Sequence, residues 1–251
     1  MIEILQPLRP ASLKDALIER LEELILSGKV PIGEKLPSER ALALQLGVSR
    51  PVVHEGLVEL AARGLVSLKP RVGAQVNDYR RQGSLALLNS LLSYRRGDLD
   101  PALLDGLLGL RRLLESEIAR LAARNRTDDD LKGLEEVLAR EARVDERDIG
   151  SLVDVDFDFH HRVALASGNP IYPMFVKSFE PAQKNLAGEF FAAKSVAAIV
   201  FGFHRQLVTA VASRDGDRAA AVMVEMLHHG RTVLGEALGL SFEANGDAEE
   251  R

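Results

Sequence analysis

The sequence predicts a mainly α-helical protein of two domains, and three observations carry that prediction. Two short helical segments joined by a tight turn lie near the start, as in a winged helix-turn-helix. Two short strand-like segments follow and predict a small β wing. Apolar residues then recur at intervals of three and four, which predicts an all-α antiparallel helical bundle. We expect the winged helix-turn-helix at 1–78, a linker at 79–84, the helical domain at 85–240 and a disordered tail at 241–251.

The helix-turn-helix prediction depends on local start and stop signals. Pro37 fits the first turn of a helix but not its interior, and the Ser38 hydroxyl can cap the free N–H groups there. This helix ends at Gly47, and Ser49 is placed to cap the next one. Arg50 therefore stands at the N-terminal end of the second helix, which is the end that faces DNA in this motif.

The wing prediction comes from two short apolar segments around a polar turn. Residues 65–68 and 74–76 have strand character, and residues 69–73 connect them. Lys69 and Arg71 in this turn are available for phosphates or for the minor groove. A solvated turn with two ordinary surface cations is the alternative.

Length, charge and cysteine content limit the class of protein. The chain has 251 residues, whereas a helix-turn-helix module needs only about seventy, so a larger second domain must follow. The net charge is −5; residues 1–78 carry ten basic and ten acidic side chains, so the negative excess lies beyond them. The chain has no Cys and shows no leader or long apolar run, so we expect a cytoplasmic protein without a membrane segment.

The second domain is divided into helices by polar and proline-containing breaks. Leucines and an isoleucine from Leu103 to Leu121 recur on one helical face, and Leu131, Leu134 and Leu138 do the same. About six or seven helices result. The breaks are Asp98–Pro101, Thr127–Asp130, Ser167–Pro170 and Arg214–Asp217.

The first domain resembles the winged helix-turn-helix of the GntR family of bacterial transcription regulators. Four stretches carry the resemblance: 32–40, 47–51, 55–57 and 60–66. His54 stands where the family usually has arginine, and it lacks the guanidinium fork that reads guanine. The resemblance implies DNA contacts at Ser38, Arg40, Ser49, Arg50, His54, Lys69, Arg71 and Gly73.

The second domain resembles the FCD ligand-binding domain that defines the FadR subfamily of these regulators. The stretches 110–124, 156–170 and 204–217 carry this likeness. In many such domains an aspartate and three histidines hold a divalent metal beneath a pocket for a carboxylate metabolite. Arg111 occupies the position of the family's pocket-facing arginine, where it can grip a carboxylate. A simple ion pair with Glu115 is the alternative role for Arg111.

The metal-ligand prediction combines this resemblance with helical spacing. Asp156 and His160 are four residues apart and share a helix face, and His204 would come from a later helix. One carboxylate with imidazoles suits Zn, Ni, Mn or Fe. The third histidine's position falls on Met226, and His229, one turn on, is the expected substitute. Without the resemblance, Asp156 and His160 would more often be a surface or capping pair.

Together these observations favour a ligand-responsive DNA-binding transcription regulator, most simply a repressor that a small carboxylate releases from its operator. A homodimer is expected because one helix-turn-helix buries too little surface for tight, specific binding. The stretch 83–92 also looks like fatty-acid-responsive members, so an acyl-CoA effector is the alternative. Two other classes are a metal-dependent hydrolase in a helical bundle and an architectural DNA-binding protein. No catalytic motif supports the hydrolase. An architectural DNA-binding protein would leave the helical domain without a role.

Overall fold

The computed structural model describes residues 12–70, 72–84, 87, 101–192 and 196–240, and at 102 and 103 it describes the backbone alone. Two compact units make up the chain, residues 1–94 and 95–251. Arg71 of the wing, most of the stretch 83–92 and the tail 241–251 lie outside the described residues.

The first unit is the predicted winged helix-turn-helix. The strands β1 and β2 pair antiparallel, with Val66 opposite Val76 and Lys69 opposite Gly73. In the part of the chain that is described, its elements are α1 (Leu13–Leu26), α2 (Glu39–Leu46), α3 (Arg50–Ala62), β1 (Val66–Lys69), β2 (Gly73–Val76) and α4 (Tyr79–Gln82).

The turn between α2 and α3 forms through the predicted signals. Ser38 caps α2, where its hydroxyl accepts a hydrogen bond from the Ala41 N–H at 3.3 Å. Gly47 ends α2 at φ +66°, a left-handed conformation that glycine adopts without strain. Of the apolar side chains on α2, Leu42 is buried but Leu44 is 85% exposed, because residues two apart in a helix face different sides.

The helices α1 and α3 pack closely at a glycine. A Cβ atom at Gly56 would lie 2.5 Å from the Leu17 Cδ2 atom, so a larger residue would push α1 away. Val53, Leu57 and Leu60 on the same side of α3 are buried. This contact fixes the helix that begins with the exposed Arg50.

Residues 79–84, which the sequence predicts as a linker, instead begin with a helix that packs on the first unit. Asp78 caps α4, and the Ser84 N–H donates to the Arg63 carbonyl oxygen at 3.0 Å. At Gly64, φ is +84° and an added Cβ would lie 2.0 Å from the Gln82 carbonyl oxygen. The polar composition of this stretch suggested a linker, but a cap and a close approach at glycine hold it in place.

The second unit is helical, as predicted, with seven helices among the described residues. Three of the predicted breaks carry local caps: a Thr127–Asp130 capping box, Asn169 accepting from the Ile171 N–H at 2.9 Å, and Asp215 capping the last helix. The helices are α5 (Pro101–Asn125), α6 (Asp128–Glu141), α7 (Ile149–Ala166), α8 (Ile171–Ser178), α9 (Glu180–Phe191), α10 (Val196–Ala212) and α11 (Gly216–Leu238).

The two longest helices, α5 and α11, run antiparallel and are joined by ion pairs at both ends. Asp105 near the start of α5 pairs with Arg231 near the end of α11 at 2.7 Å, and Arg120 pairs with Asp217. Early residues of one helix therefore meet late residues of the other. The core between the helices includes the fully buried side chains of Ile118, Leu134, Leu152, Phe159, Leu207 and Met223.

Candidate functional site

The start of α3 presents the predicted DNA-reading side chains to solvent. Arg50 is the first residue of α3, and Ser49 holds the N-cap position without a side-chain capping hydrogen bond. Arg50 and Arg40 are both exposed, and neither guanidinium has a hydrogen-bond or ion-pair partner among the described residues. Both cations are therefore available for phosphates or base edges, and their DNA contacts stay predictions.

His54 is exposed on α3 but is held by a partner that the sequence did not reveal. Its Nδ1 atom lies 2.8 Å from Glu39 Oε1, and the His54 side chain is 60% exposed. Glu39 begins α2, fifteen residues earlier. No spacing rule connects two residues on different helices, so only the packing of α2 on α3 shows this pair.

The wing residues are exposed, and one of the two predicted cations is described. Lys69 ends β1 and its Nζ donates to Gln75 Oε1 at 3.0 Å. Gly73 begins β2 at φ +97°, a conformation that favours glycine. Arg71 lies outside the described residues.

Inside the second unit, three predicted metal ligands converge from two helices. Asp156 and His160 lie one turn apart on α7, and His204 comes from α10. All three are buried, and one ligand atom of each lies within 4.8 Å of the others. Asp156 Oδ1 is 3.9 Å from His160 Nε2 and 3.7 Å from His204 Nε2. These distances exceed a hydrogen bond. One ion with bonds of about 2.0–2.2 Å could reach both atoms of each pair, at an angle wider than tetrahedral.

Two buried glutamates hold the other nitrogen of each imidazole. His160 Nδ1 lies 2.5 Å from Glu115 Oε2 on α5, and His204 Nδ1 lies 2.6 Å from Glu141 Oε1 at the end of α6. The His204 contact is a hydrogen bond, and since an ionised carboxylate only accepts, we assign the proton of that ring to Nδ1. His204 Nε2 then keeps its lone pair on the side of Asp156, as in metal-binding histidines backed by carboxylates. The His160 contact is equally short but is not aligned as a hydrogen bond.

Aromatic packing fixes the plane of the deeper ring. Phe159 stacks on His204 with ring centroids 3.6 Å apart and planes 12° apart. His160 meets both rings edge to face. The two imidazoles therefore have little freedom to turn away from Asp156.

Carboxyl groups outnumber basic side chains around these imidazoles. Burial by itself raises the pKa of Glu115, but Arg111 and His160 outweigh it and lower that pKa to about 2. Burial lowers the pKa of Arg111, yet Glu115 and Asp156 outweigh it and raise that pKa above its ordinary value. The carboxyl groups of Glu115, Glu141 and Asp156 are all buried close to the two rings.

The residues present fit a divalent transition metal. His204 Nε2 is buried and has no hydrogen-bond partner in the described part of the chain, which is costly unless an ion or proton serves it. Two imidazoles and one carboxylate suit Zn, Ni, Mn or Fe. A divalent cation would also lie among the buried carboxyl groups of Glu115, Glu141 and Asp156.

The structure does not bring His229 to this group. The His229 ring lies against Phe190 and Phe203, with centroids 6.5 and 6.1 Å away. Met226 is buried and lines the neighbouring pocket. The expectation that His229 replaces the missing histidine is therefore unsupported, because side chains three residues apart leave α11 in different directions.

A mostly apolar pocket opens beside the cluster. Arg111, Glu115, Asp156 and His160 make a polar patch in its wall, and Arg231 is a further charged residue there. Most of the remaining wall is aliphatic or aromatic, including Leu107, Leu114, Phe175, Phe179, Leu186, Phe190 and Leu234.

Comparison with known proteins matches both units of the chain. Residues 13–76 match the bacterial regulatory proteins of the gntR family, and residues 107–229 match the FCD domain. The HTH-type transcriptional regulator Mce2R of Mycobacterium tuberculosis is 32% identical over 230 residues, covering 92% of this chain and 95% of that protein. This chain belongs to the GntR family.

Other relatives agree with this family assignment. A fatty acid metabolism regulator protein of Klebsiella pneumoniae is 29% identical over 189 residues, covering 75% of this chain and 77% of that protein. The solved structure of Lar, described as controlling expression of the Listeria monocytogenes agr system, aligns with a TM-score of 0.63. It covers 91% of this chain and 99% of that chain at 18% identity, and this likeness shows the fold alone.

As a GntR-family protein with an FCD domain, the chain is a DNA-binding transcription regulator. The comparisons give no support to a hydrolase, and members of this family are regulators rather than enzymes. GntR regulators bind operator DNA and are typically dimers. Among the described residues, no helix is both long and apolar enough to cross a bilayer.

Proposed function

We propose that this GntR-family regulator is a homodimeric repressor released from its operator by a carboxylate effector with a long apolar body. The observation that carries the proposal is the pocket of the second unit, in which one polar patch adjoins an extended apolar wall. A carboxylate would meet Arg111 at the patch, and an alkyl or similar body would contact the leucine and phenylalanine side chains. The predicted DNA contacts of Arg40, Ser49 and Arg50 belong to the same proposal.

The composition of the pocket wall favours such an effector over a small hydroxy acid or sugar acid. A small polar acid would contact the polar patch but leave the leucine and phenylalanine side chains of the wall without partners, and those side chains would then lose dispersion energy. The fatty acid metabolism regulators among the relatives point in the same direction. An acyl-CoA ester, with a thioester in place of the free acid, is the second candidate because its acyl chain would make the same contacts with the apolar wall.

The proposal includes a divalent metal held by Asp156, His160 and His204. Its support is the convergence of the three ligand atoms and the unpartnered His204 Nε2. A bound ion would offer a coordination position to the effector's carboxylate. Arg111 would bind the same group through its guanidinium, and the apolar wall would exclude water around it.

A steric substitution tests the effector class. Gly230 on α11 lines the pocket, and an added Cβ there would meet nothing within 4 Å. Gly230→Phe should therefore shorten the pocket and abolish release from the operator by palmitate or palmitoyl-CoA, while release by decanoate falls less. Fluorescence anisotropy of labelled operator, titrated with each compound, measures this response.

Gly106→Phe is the matched control for this experiment. Gly106 on α5 has equally open surroundings but is exposed and lies outside the pocket wall. We expect Gly106→Phe to respond like the wild type. A Gly230→Phe protein that binds operator and is still released by palmitate at wild-type concentrations would contradict the proposal.

A further inference from the structure

Glu115 differs from Glu141 in the number of groups that it holds. One Glu115 oxygen accepts from the Nε of Arg111, and the other lies 2.5 Å from His160 Nδ1. Glu141 uses one oxygen for His204 Nδ1, and its other oxygen is buried without a hydrogen-bond partner among the described residues. Both carboxylates back a metal-ligating imidazole, but only Glu115 also holds an arginine of the pocket wall.

We propose that Glu115 is a positioning residue shared by the metal site and the effector site, so that metal binding and carboxylate binding are coupled through it. Glu141 positions a metal ligand alone. This inference rests on the proposed function, because it takes Asp156, His160 and His204 as the metal ligands and Arg111 as the effector's anchor.

The imidazole of His160 is confined by Glu115. Glu115 Oε2 lies 2.5 Å from His160 Nδ1, and a carboxylate in this place limits how the ring can turn. His160 Nε2 lies on the side of Asp156, at 3.9 Å from Oδ1. Loss of such a carboxylate typically weakens metal affinity about 10–100-fold. Glu141 has the same effect on His204, whose Nε2 lies 3.7 Å from the same oxygen.

The guanidinium of Arg111 is also held by Glu115. Arg111 and Glu115 are one turn apart on α5, and the contact uses the Nε atom. Among the described residues the two Nη groups make no other hydrogen bond, so they remain for a carboxylate in the pocket. Because Glu115 contacts both Arg111 and His160, a shift of either group would move the carboxylate that the other contacts.

Isosteric substitutions separate the two roles. Glu115→Gln and Glu141→Gln each remove one buried negative charge and one acceptor beside a histidine, so their general electrostatic effects are matched. They differ in the link to Arg111. We expect both variants to bind Zn²⁺ about 10–100-fold more weakly than the wild type, measured by competition with a chromophoric chelator.

The decisive readout is the effect of decanoate on Zn²⁺ affinity. In the wild type and in Glu141→Gln, saturating decanoate should change the Zn²⁺ dissociation constant by the same factor. In Glu115→Gln that factor should be smaller, because the contribution through Arg111 is lost and only direct coordination of the carboxylate to the ion remains. Glu115→Asp, which keeps the charge but is too short to reach both partners, should show the same reduction. If Glu115 had only a structural role, Glu115→Gln and Glu141→Gln would change the effect of decanoate on Zn²⁺ affinity equally.

Operator binding without effector serves as the check that each variant is folded. The inference is overturned if Glu115→Gln keeps wild-type Zn²⁺ affinity, if it keeps the full wild-type decanoate effect, or if the wild type shows no such effect. A wild-type protein that binds no Zn²⁺ would overturn both the inference and the metal part of the proposed function. Normal Zn²⁺ binding with an unchanged Glu115→Gln variant would overturn the inference alone.

Discussion

The two units each contain a histidine whose Nδ1 meets a glutamate, and the two pairs lie in opposite environments. His54 and Glu39 join α2 to α3 at 2.8 Å with side chains 60% and 35% exposed. His160 and Glu115 join α7 to α5 at 2.5 Å with side chains 3% and 8% exposed. Water screens the first pair, whereas the second is desolvated and must be satisfied by its neighbours. The same two residue types therefore make an adjustable surface contact in one unit and a fixed internal scaffold in the other.

The exposed region has the charge pattern of a surface that meets its partner from solution. Arg40 and Arg50 point into solvent without partners among the described residues. In the buried region polar side chains contact one another in a row, from Arg111 through Glu115 to His160. DNA can replace water around the first set at little cost, while the second set is organised before any ligand arrives.

The largest effect is expected on stability, when each of the two glutamates is removed in turn. Glu115→Ala leaves the buried His160 and Arg111 without their common partner and should lower the free energy of unfolding by about 3–5 kcal/mol. Glu39→Ala removes an exposed pair and should change it by only about 0–1 kcal/mol. Urea denaturation followed by circular dichroism measures both. Equal losses would show that burial does not distinguish the two pairs.

A smaller effect is expected from the exposed cation at the start of α3. Arg50→Ala should weaken operator binding by about 1–3 kcal/mol, which is about 5–150-fold, because one guanidinium contact to DNA is lost. Zn²⁺ affinity should be unchanged. Titration of labelled operator at fixed salt gives the affinity, and Arg20→Ala, an exposed arginine on α1, is the control. Wild-type affinity in Arg50→Ala would remove Arg50 from the DNA contacts.

The smallest effect is expected at the exposed histidine itself. His54→Arg restores the cation usual in the family and should tighten operator binding and steepen its salt dependence by about one phosphate contact. Glu39 competes for this side chain, so Glu39→Gln combined with His54→Arg should show the larger gain. Plots of log affinity against log salt concentration provide the measurement. An unchanged slope in both variants would place residue 54 away from the phosphates.

Sequence signals were sufficient wherever they acted within one helix or one turn. Ser38 and Gly47 bound α2, the Thr127–Asp130 box begins α6, and the spacing of Asp156 and His160 puts both on one face of α7. Each of these features depends on residues no more than a few positions apart, and helical geometry converts such spacing directly into position. The resemblance to a known family added His204, whose place beside α7 no spacing predicts.

Tertiary structure alone decided which groups meet across helices. Glu141 reaches His204 from 63 residues away, Glu39 holds His54, and His229 packs against Phe190 and Phe203 instead of joining the ligands. Residues 79–84 pack on the first unit because Gly64 admits the Gln82 carbonyl. Sequence patterns predicted the winged helix-turn-helix, the helical bundle and the shared helix face of Asp156 and His160. Packing decided their partners, because contacts between helices depend on which side chains interlock when the helices come together, and one-dimensional spacing carries no record of that.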